Sequence, residues 1–572
     1  MADVNKLYEL WCEKATDDKD LQVELGDIKN DDEAILDRFY RDLAFGTGGL
    51  RGVIGAGTNR MNVYTVRKAS QGLANYLVKN FSNPSCAIAY DSRIKSDVFA
   101  KEAAKVLAAN GVTVHIYKEL MPTPMLSWAV RHLKCDAGIV VTASHNPAKY
   151  NGYKVYGNDG CQITLNAAEE ILGYISQIEC FDGVKVADFD ESVNAGKIKY
   201  IEDDTINAYY DKVEEQSINP DVVARSGLKI VYTPLNGTGN KPVREILKRI
   251  GIKDVVVVPE QEYPDGNFPT CPFPNPEIKE ALQRGLELCK TEKPDLLLAT
   301  DPDCDRVGIA VKDGDDYVLF TGNEVGAMLL EYVCSQRIAK GTMPKNPIAV
   351  KTIVTTDIAK AIAKTYGVEI IEVLTGFKFI GEQIGFLEAK GEENRYIFGF
   401  EESYGYLSGG YVRDKDAVDG SMLICEMAAF YRANGISLIK AREDMYKKYG
   451  TYFHSQDSFT CEGASGMQRM AEIMSNLRKD VPSSVAGIKV IGMADYVASE
   501  SKDFESGKVS QITLPKSDVI SLYLEGGASL IIRPSGTEPK IKIYYTTKAP
   551  TLKEASKIKD ALSADFSKIL GF

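Results

Sequence analysis

The chain has 572 residues, 44% apolar and 26% charged, with a formal net charge of −12. That length suits about four domains of ordinary globular composition and excludes a disordered, collagen-like or small disulfide-stapled design. The acidic balance argues against nucleic acid or an anionic membrane as partner, and an anionic ligand requires a local basic pocket built against the net charge.

The opening MADVNKLYELWCEK mixes acids and bases and has no apolar core, so it does not read as a signal peptide. No apolar run approaches the roughly 18 residues of a membrane span. Eleven cysteines, an odd number without CxxC spacing, read as reduced thiols and point to the cytoplasm. The four histidines form no cluster for a His-based zinc site.

In chain order, FGTGGLRG (45–52) is a glycine-rich stretch with Arg51 that lacks the P-loop pattern. One unit then occurs three times. The first copy is the strand CAIAYD (86–91), the helix SDVFAKEAAKVLAANG with Ser96 as expected cap, the strand VTVHIY, a helix around MLSWAVRHL, and the strand DAGIVV running into TASHNP. The second is LKIVYTP, KPVREILKRIG, DVVVVPE, a helix over PEIKEALQRGLELCK, and LLLAT running into DPDCDR. The third is NPIAVKTIVTTD, IAKAIAKTYG, VEIIEVLTGF, a helix over GEQIGFLEAKG, and RYIFGFEES. Strand, helix, strand, helix, strand implies a parallel sheet covered by helices. The tail has strand-like runs on both sides of RPSGTEP and ends in an amphipathic helix. The expected fold is therefore α/β: three successive mixed or parallel-sheet domains (1–210, 211–322, 323–455) and a smaller α+β domain (456–572) around a central cleft.

Ligands bind beyond the carboxyl ends of strands in open α/β sheets, and the loop after each third strand carries the chemistry. Asp301, Asp303 and Asp305 alternate. In extended chain they share one face, and three converging carboxylates call for a hard cation such as Mg²⁺. A solvated acidic turn is the plain alternative, disfavoured by the buried run before it. Ser144, beside His145, stands at a strand end where a serine acts as nucleophile if something activates it, while an ordinary Ser/Asn/Pro turn is the plainer reading of that pair alone. No G-x-S-x-G elbow supports a serine hydrolase. Arg533, Ser535, Gly536 and Thr537 offer the donors a phosphate needs, with a polar hairpin loop as the equal alternative, and Glu401 and Ser403 suit sugar hydroxyls, with an acid-rich helix start as theirs.

The ordered set TASHNP, YNGYKVYG, DPDCDR, TGFKFIG, GFEESYG and RPSGTEPK resembles the α-D-phosphohexomutase family over nearly the whole chain, and within it the longer type of phosphoglucomutase. The resemblance implies four domains around a cleft and a two-step phosphoryl transfer. Ser144 matches the phosphoryl carrier and a metal ligand, and Asp301, Asp303 and Asp305 match the Mg²⁺ ligands. Arg51, His145 and Lys154 match groups lining the phosphoserine, with Lys154 first and His145 second as candidate for moving the hydroxyl proton. Arg306 follows the triad. Thr375 and Gly376 match a loop that distinguishes substrate orientation. Glu401 and Ser403 hold the sugar, Lys415 binds ligand, and Arg533, Ser535, Gly536 and Thr537 grip the distal phosphate. The substrate expected is glucose 1-phosphate, with glucose 1,6-bisphosphate as intermediate and activator. Phosphopentomutase, phosphomannomutase, bisphosphate synthase and a silent sugar-phosphate binder are the alternatives. The reading DPDCDR departs from the commoner glycines at Pro302 and Cys304 but leaves the liganding positions intact.

Overall fold

The computed structural model describes residues 2–46, 48–461, 466–535 and 540–572. The thrice-repeated unit is present as three sheets with one connectivity. In the first, Ser85–Tyr90 lies between Thr113–Tyr117 and Ala137–Val141, all parallel. In the second, Lys229–Thr233 lies between Asp254–Val257 and Leu296–Thr300. In the third, Ile348–Thr352 lies between Glu369–Val373 and Tyr396–Glu401. Each third strand then returns antiparallel, as Tyr150–Gly157, Val307–Asp313 and Gly405–Leu407. The reading of βαβαβ alone leaves out this return strand. It makes the loaded loop of each copy the tip of a hairpin at the carboxyl end of the sheet.

Three helix starts differ from expectation. Ser96 is not a cap. Lys95, in a left-handed conformation, precedes helix Ser96–Ala109, and the Ser96 hydroxyl donates to Asp91 Oδ1 at 2.7 Å. The helix expected over PEIKEALQRGLELCK begins only at Gln283. Pro274 and Pro276 break the preceding segment, and Asn275 Oδ1 accepts the Glu277 N–H at 3.0 Å in a local turn. In the third copy the helix starts earlier, at Phe377, directly after Gly376, whose φ of 120° ends the strand-to-helix loop.

The fourth sheet is antiparallel. Tyr452–Thr460 pairs with Lys540–Lys548, which pairs with Ser529–Pro534, then Ile520–Leu524 and Ile488–Asp495. Its first strand thus runs across residue 456. Helix Leu552–Ile569 covers one face. The first three sheets share a continuous apolar core that includes Ala87, Ile230, Leu298, Val350 and Ile397. The fourth closes a core of its own around Ile520, Ile543 and Phe566. It meets the third sheet through a small cluster of Leu374, Ala494, Tyr496 and Val519. No single helix among the described residues is long and apolar enough to cross a membrane.

Candidate active site

Ser144 follows the fully buried strand Ala137–Val141 and is itself buried, with φ 53°. A left-handed non-glycine residue costs about 1–2 kcal/mol and persists only where its surroundings enforce it. Here they do. The Thr142 hydroxyl accepts the Ser144 N–H at 2.8 Å. The Arg93 guanidinium donates to the carbonyls of Ser144 and Asn146, and to those of Pro147 and Tyr150 at 3.0 and 3.1 Å. Asp91, at the end of the central strand, holds Arg93 in a fully buried ion pair at 3.4 Å. The sequence reading missed Arg93. The signal was its place just past the carboxyl end of the central strand, with the Asp91 carboxylate two residues before it.

Across the cleft floor, the Ser144 hydroxyl donates to Asp301 Oδ2 at 3.1 Å and lies 3.1 Å from His145 Nδ1. Asp301, Asp303 and Asp305 are all buried, and one oxygen from each lies within 4.8 Å of the others. They converge through a turn, not the extended chain expected. Cys304, with φ 52°, donates its N–H to Asp301 O at 2.9 Å, and Asp301 Oδ1 accepts the N–H groups of Asp305 and Arg306 at 3.1 and 3.0 Å. Lys154 Nζ is 3.3 Å from Asp303 Oδ2 and Lys415 Nζ 2.8 Å from Asp305 Oδ2. Thr123, another residue missed in the sequence, donates its hydroxyl to Asp303 at 3.2 Å.

Burial and the two neighbouring carboxylates push Asp301 well above the usual carboxylate range, and burial with the Asp303 charge also raises Asp305. Burial would raise Asp303 too, but Lys154 and Lys415 hold it low. Asp303 Oδ1 and Asp305 Oδ1 accept no hydrogen bond. Buried oxygens without donors, clustered and all hard, fit a divalent cation of the Mg²⁺ type.

The triad borders a cleft of about 1950 Å³ lined by all four sheets. Its wall includes Arg51, Ser144, His145, Lys154, Asp305, Arg306, Thr375, Gly376, Glu401, Ser403, Lys415 and Arg533. Asp301 and Asp303 lie beneath that wall. Arg51 and Lys154 share one face of adjacent antiparallel strands, opposite Gly152 and Gly49. A Cβ on Gly49 would stand 2.1 Å from the Tyr153 carbonyl, so only glycine lets these strands close. Burial, with the charges of Arg306 and Arg51, drives His145 well below its usual value and keeps the ring neutral. Arg306 is paired with Glu277 at 2.7 Å, and Lys415 stays cationic against Asp305, Asp414 and Glu401 despite its burial.

At the far end, Arg533 and Lys542 are register partners on adjacent strands and both line the cleft, with Tyr544 beside them. Two like charges directly opposite are unfavourable without an anion between them. Lys542 was also missed, although the alternation KIKIYY marks it as facing the same way as Tyr544. Ser535 lies outside the cleft wall, its N–H donating to Lys540 O at 2.7 Å. Gly536 and Thr537 lie outside the described residues. Arg51, Lys154, Arg306, Lys415, Arg533 and Lys542 are among ten cations that outnumber the eight carboxylates of the cleft wall, a basic excess in an acidic protein.

Three family models match the chain: phosphoglucomutase/phosphomannomutase α/β/α domain I at residues 42–180, domain II at 207–314 and domain III at 321–449. A phosphoglucomutase of Staphylococcus saprophyticus is 37% identical over 92% of this chain and 97% of its own length. One from Staphylococcus aureus (strain bovine RF122 / ET3-1) is 37% identical over 97% and 98%. Among solved structures, a putative phosphomannomutase from Thermus thermophilus superposes with a TM-score of 0.69 at 23% identity, covering 93% of this chain and all of that one. The Paramecium phosphoprotein pp63/parafusin, described as a phosphoglucomutase, gives 0.69 at 19%, covering 92% and 95%. Three hairpin loops and a fourth sheet meeting at one basic cleft, and relatives matched from end to end, make this chain a member of the phosphoglucomutase/phosphomannomutase family of α-D-phosphohexomutases.

Proposed function

We propose that the protein is a phosphoglucomutase, interconverting α-D-glucose 1-phosphate and glucose 6-phosphate by way of a phosphorylated Ser144. One observation carries the reading: a strained, clamped serine, 3.1 Å from a buried carboxylate triad, opens on a cleft whose other end holds paired cations. The name shared by the relatives at 37% identity supports the choice of sugar.

In this reading Ser144 Oγ passes its phosphoryl group to the free hydroxyl of the bound sugar monophosphate, giving glucose 1,6-bisphosphate. It then takes back the other phosphate once the sugar has exchanged ends. Such transfer depends on positioning and charge neutralisation more than on covalent help. Asp301, Asp303 and Asp305, with Ser144 Oγ, would hold Mg²⁺, which when bound neutralises charge on the transferring phosphoryl group. Arg51 and Lys154 flank the reacting phosphate. Lys154 is the first candidate for moving the hydroxyl proton, and the neutral His145 ring the second. Glu401 and Ser403 hold sugar hydroxyls, Thr375 and Gly376 bear on substrate orientation, and Lys415 and Arg306 face the ligand. Arg533 and Lys542 receive whichever phosphate is not reacting.

The test is a panel of the 1-phosphates of glucose, mannose, ribose and glucosamine, assayed with Mg²⁺ for the 6- or 5-phosphate product. The highest kcat/KM is expected for glucose 1-phosphate. A clearly higher value for another sugar overturns the assignment and leaves only the reaction class.

A further inference from the structure

The turn after the central strand of the third sheet touches two binding regions at once. Thr352 Oγ1 and Thr355 Oγ1 lie 2.7 Å apart, and Glu402 Oε2 completes a triangle with them at 3.3 and 3.4 Å. Glu402 sits between Glu401 and Ser403 on the hairpin that lines the cleft. The buried Lys351 ammonium ties the turn down from behind, donating to the carbonyls of Thr355 and Thr352 at 2.9 and 3.3 Å.

The other side of the same turn meets the fourth sheet. Thr356 Oγ1 is 2.8 Å from His454 Nε2, and Thr546 Oγ1 is 3.2 Å from His454 Nδ1. Ile353 packs with the cluster of Ala494, Tyr496 and Val519. His454 and Thr546 are register partners on strands Tyr452–Thr460 and Lys540–Lys548. Strand alternation puts them on the face that also carries Tyr544, Lys542 and Arg533. Burial holds the His454 ring down at about 4, so it meets both threonines as a neutral group.

We propose that this turn sets the span between the sugar hairpin and the phosphate-gripping face of the fourth sheet, with Thr355, Thr356 and His454 as positioning residues. The assignment rests on the sugar-phosphate reading of the cleft. A ligand held by its hydroxyls at one end and its distal phosphate at the other needs that span fixed. The fourth sheet has its own core and is joined to the third by few groups. The Thr356–His454 bond and the packing of Ile353 at this turn can therefore govern its placement.

The experiment is a double-mutant cycle of Thr355→Val, which removes one hydroxyl with little change of shape, and His454→Leu, which removes the hydrogen bond from the turn to the fourth sheet together with the His454–Thr546 contact inside that sheet. Each single variant is expected to raise KM for glucose 1-phosphate about three- to tenfold, more than it lowers kcat. The double variant should be no worse than the worse single, and Thr355→Ser should restore the parent value. Fully additive effects, or no effect of either single variant, overturn the proposal. A second readout needs no turnover: amide exchange in the ligand-free protein. His454→Leu should speed exchange in residues 401–407 as well as in 452–460. A change confined to 452–460 overturns the coupling, whereas a failed sugar assay with exchange coupled as expected overturns only the choice of substrate.

Discussion

The first three sheets share an apolar core, to which the first adds another on its outer face, whereas the fourth is built around its own and reaches the third sheet through a small cluster and the Thr356–His454 hydrogen bond. The residues each side brings to the cleft differ in the same way. On the three-sheet side, Ser144, Arg93, Asp91 and the triad are buried and hold one another in single geometries. On the fourth-sheet side, Arg533 and Lys542 stand side by side on a strand face that opens on the cleft. Reacting atoms need placement to a fraction of an ångström. In the proposed reaction, a grip that accepts either phosphate of a bisphosphate needs charge at a set distance from the sugar hairpin rather than one contact geometry. The difference in construction follows the difference in task.

The contrast is broken most severely on the buried side. Asp303→Asn removes a charge from the cation site and a partner from both Lys154 and Thr123. Turnover should fall by about two to three orders of magnitude or more, because the metal contributes several kcal/mol of charge stabilisation. Circular dichroism should stay that of the parent. Activity close to the parent's, or a parent enzyme indifferent to EDTA, contradicts the cation assignment.

Arg533→Ala acts on the other side and should read differently. It removes one charge-assisted contact, worth about 1.5–3 kcal/mol. KM should rise by about ten- to a hundredfold and kcat should change less, with Lys542 retaining part of the grip. An equal fall in kcat with KM unchanged would place Arg533 in the chemistry and erase the distinction between the two ends.

The smallest expected effect sharpens the comparison through pH. Burial, with the Glu401 charge beside it, raises the Glu402 carboxyl to about 7. Its folded-state value is above its unfolded one, so folding favours the protonated form. The cost of ionising it is absent below the unfolded value, roughly 4.3, and fully present above about 7. Glu402→Gln should therefore stabilise the protein near about pH 8.5, by roughly 1–3 kcal/mol at most, and much less near about pH 5. Thermal midpoints at the two pH values decide it, and an equal gain at both contradicts the shift.

Much of this arrangement was legible in the sequence because parallel strands buried on both faces leave uninterrupted apolar runs, and each run ended in an unusual loop. AGIVV, LLLAT and YIFGF are such runs. The return strand Tyr150–Gly157 was harder to see. Its two glycines and its lysine interrupt any apolar run, and it becomes a strand because Ala137–Val141 and Gly49–Val53 pair with it on both sides. Arg93, Thr123, Glu277 and Lys542 escaped for one physical reason. None lies in a distinctive motif; Arg93, Thr123 and Glu277 reach the site through partners distant in sequence (the Ser144 loop, Asp303 and Arg306), and Lys542 through its register opposite Arg533. The convergence of the triad was foreseen while its cause was not, since the sign of φ at Cys304 cannot be read from an Asp-x-Asp-x-Asp pattern.

The central claim is that Ser144 carries the phosphoryl group, and it is tested most directly by mass spectrometry of the peptide spanning residues 135–149 after incubation with glucose 1,6-bisphosphate and Mg²⁺. The account predicts a phosphate on Ser144 that is lost on adding glucose 6-phosphate in excess, and a Ser144→Ala variant that still binds glucose 6-phosphate but turns over at least about ten-thousandfold more slowly. An unphosphorylated peptide together with a Ser144→Ala variant that still turns over would contradict it.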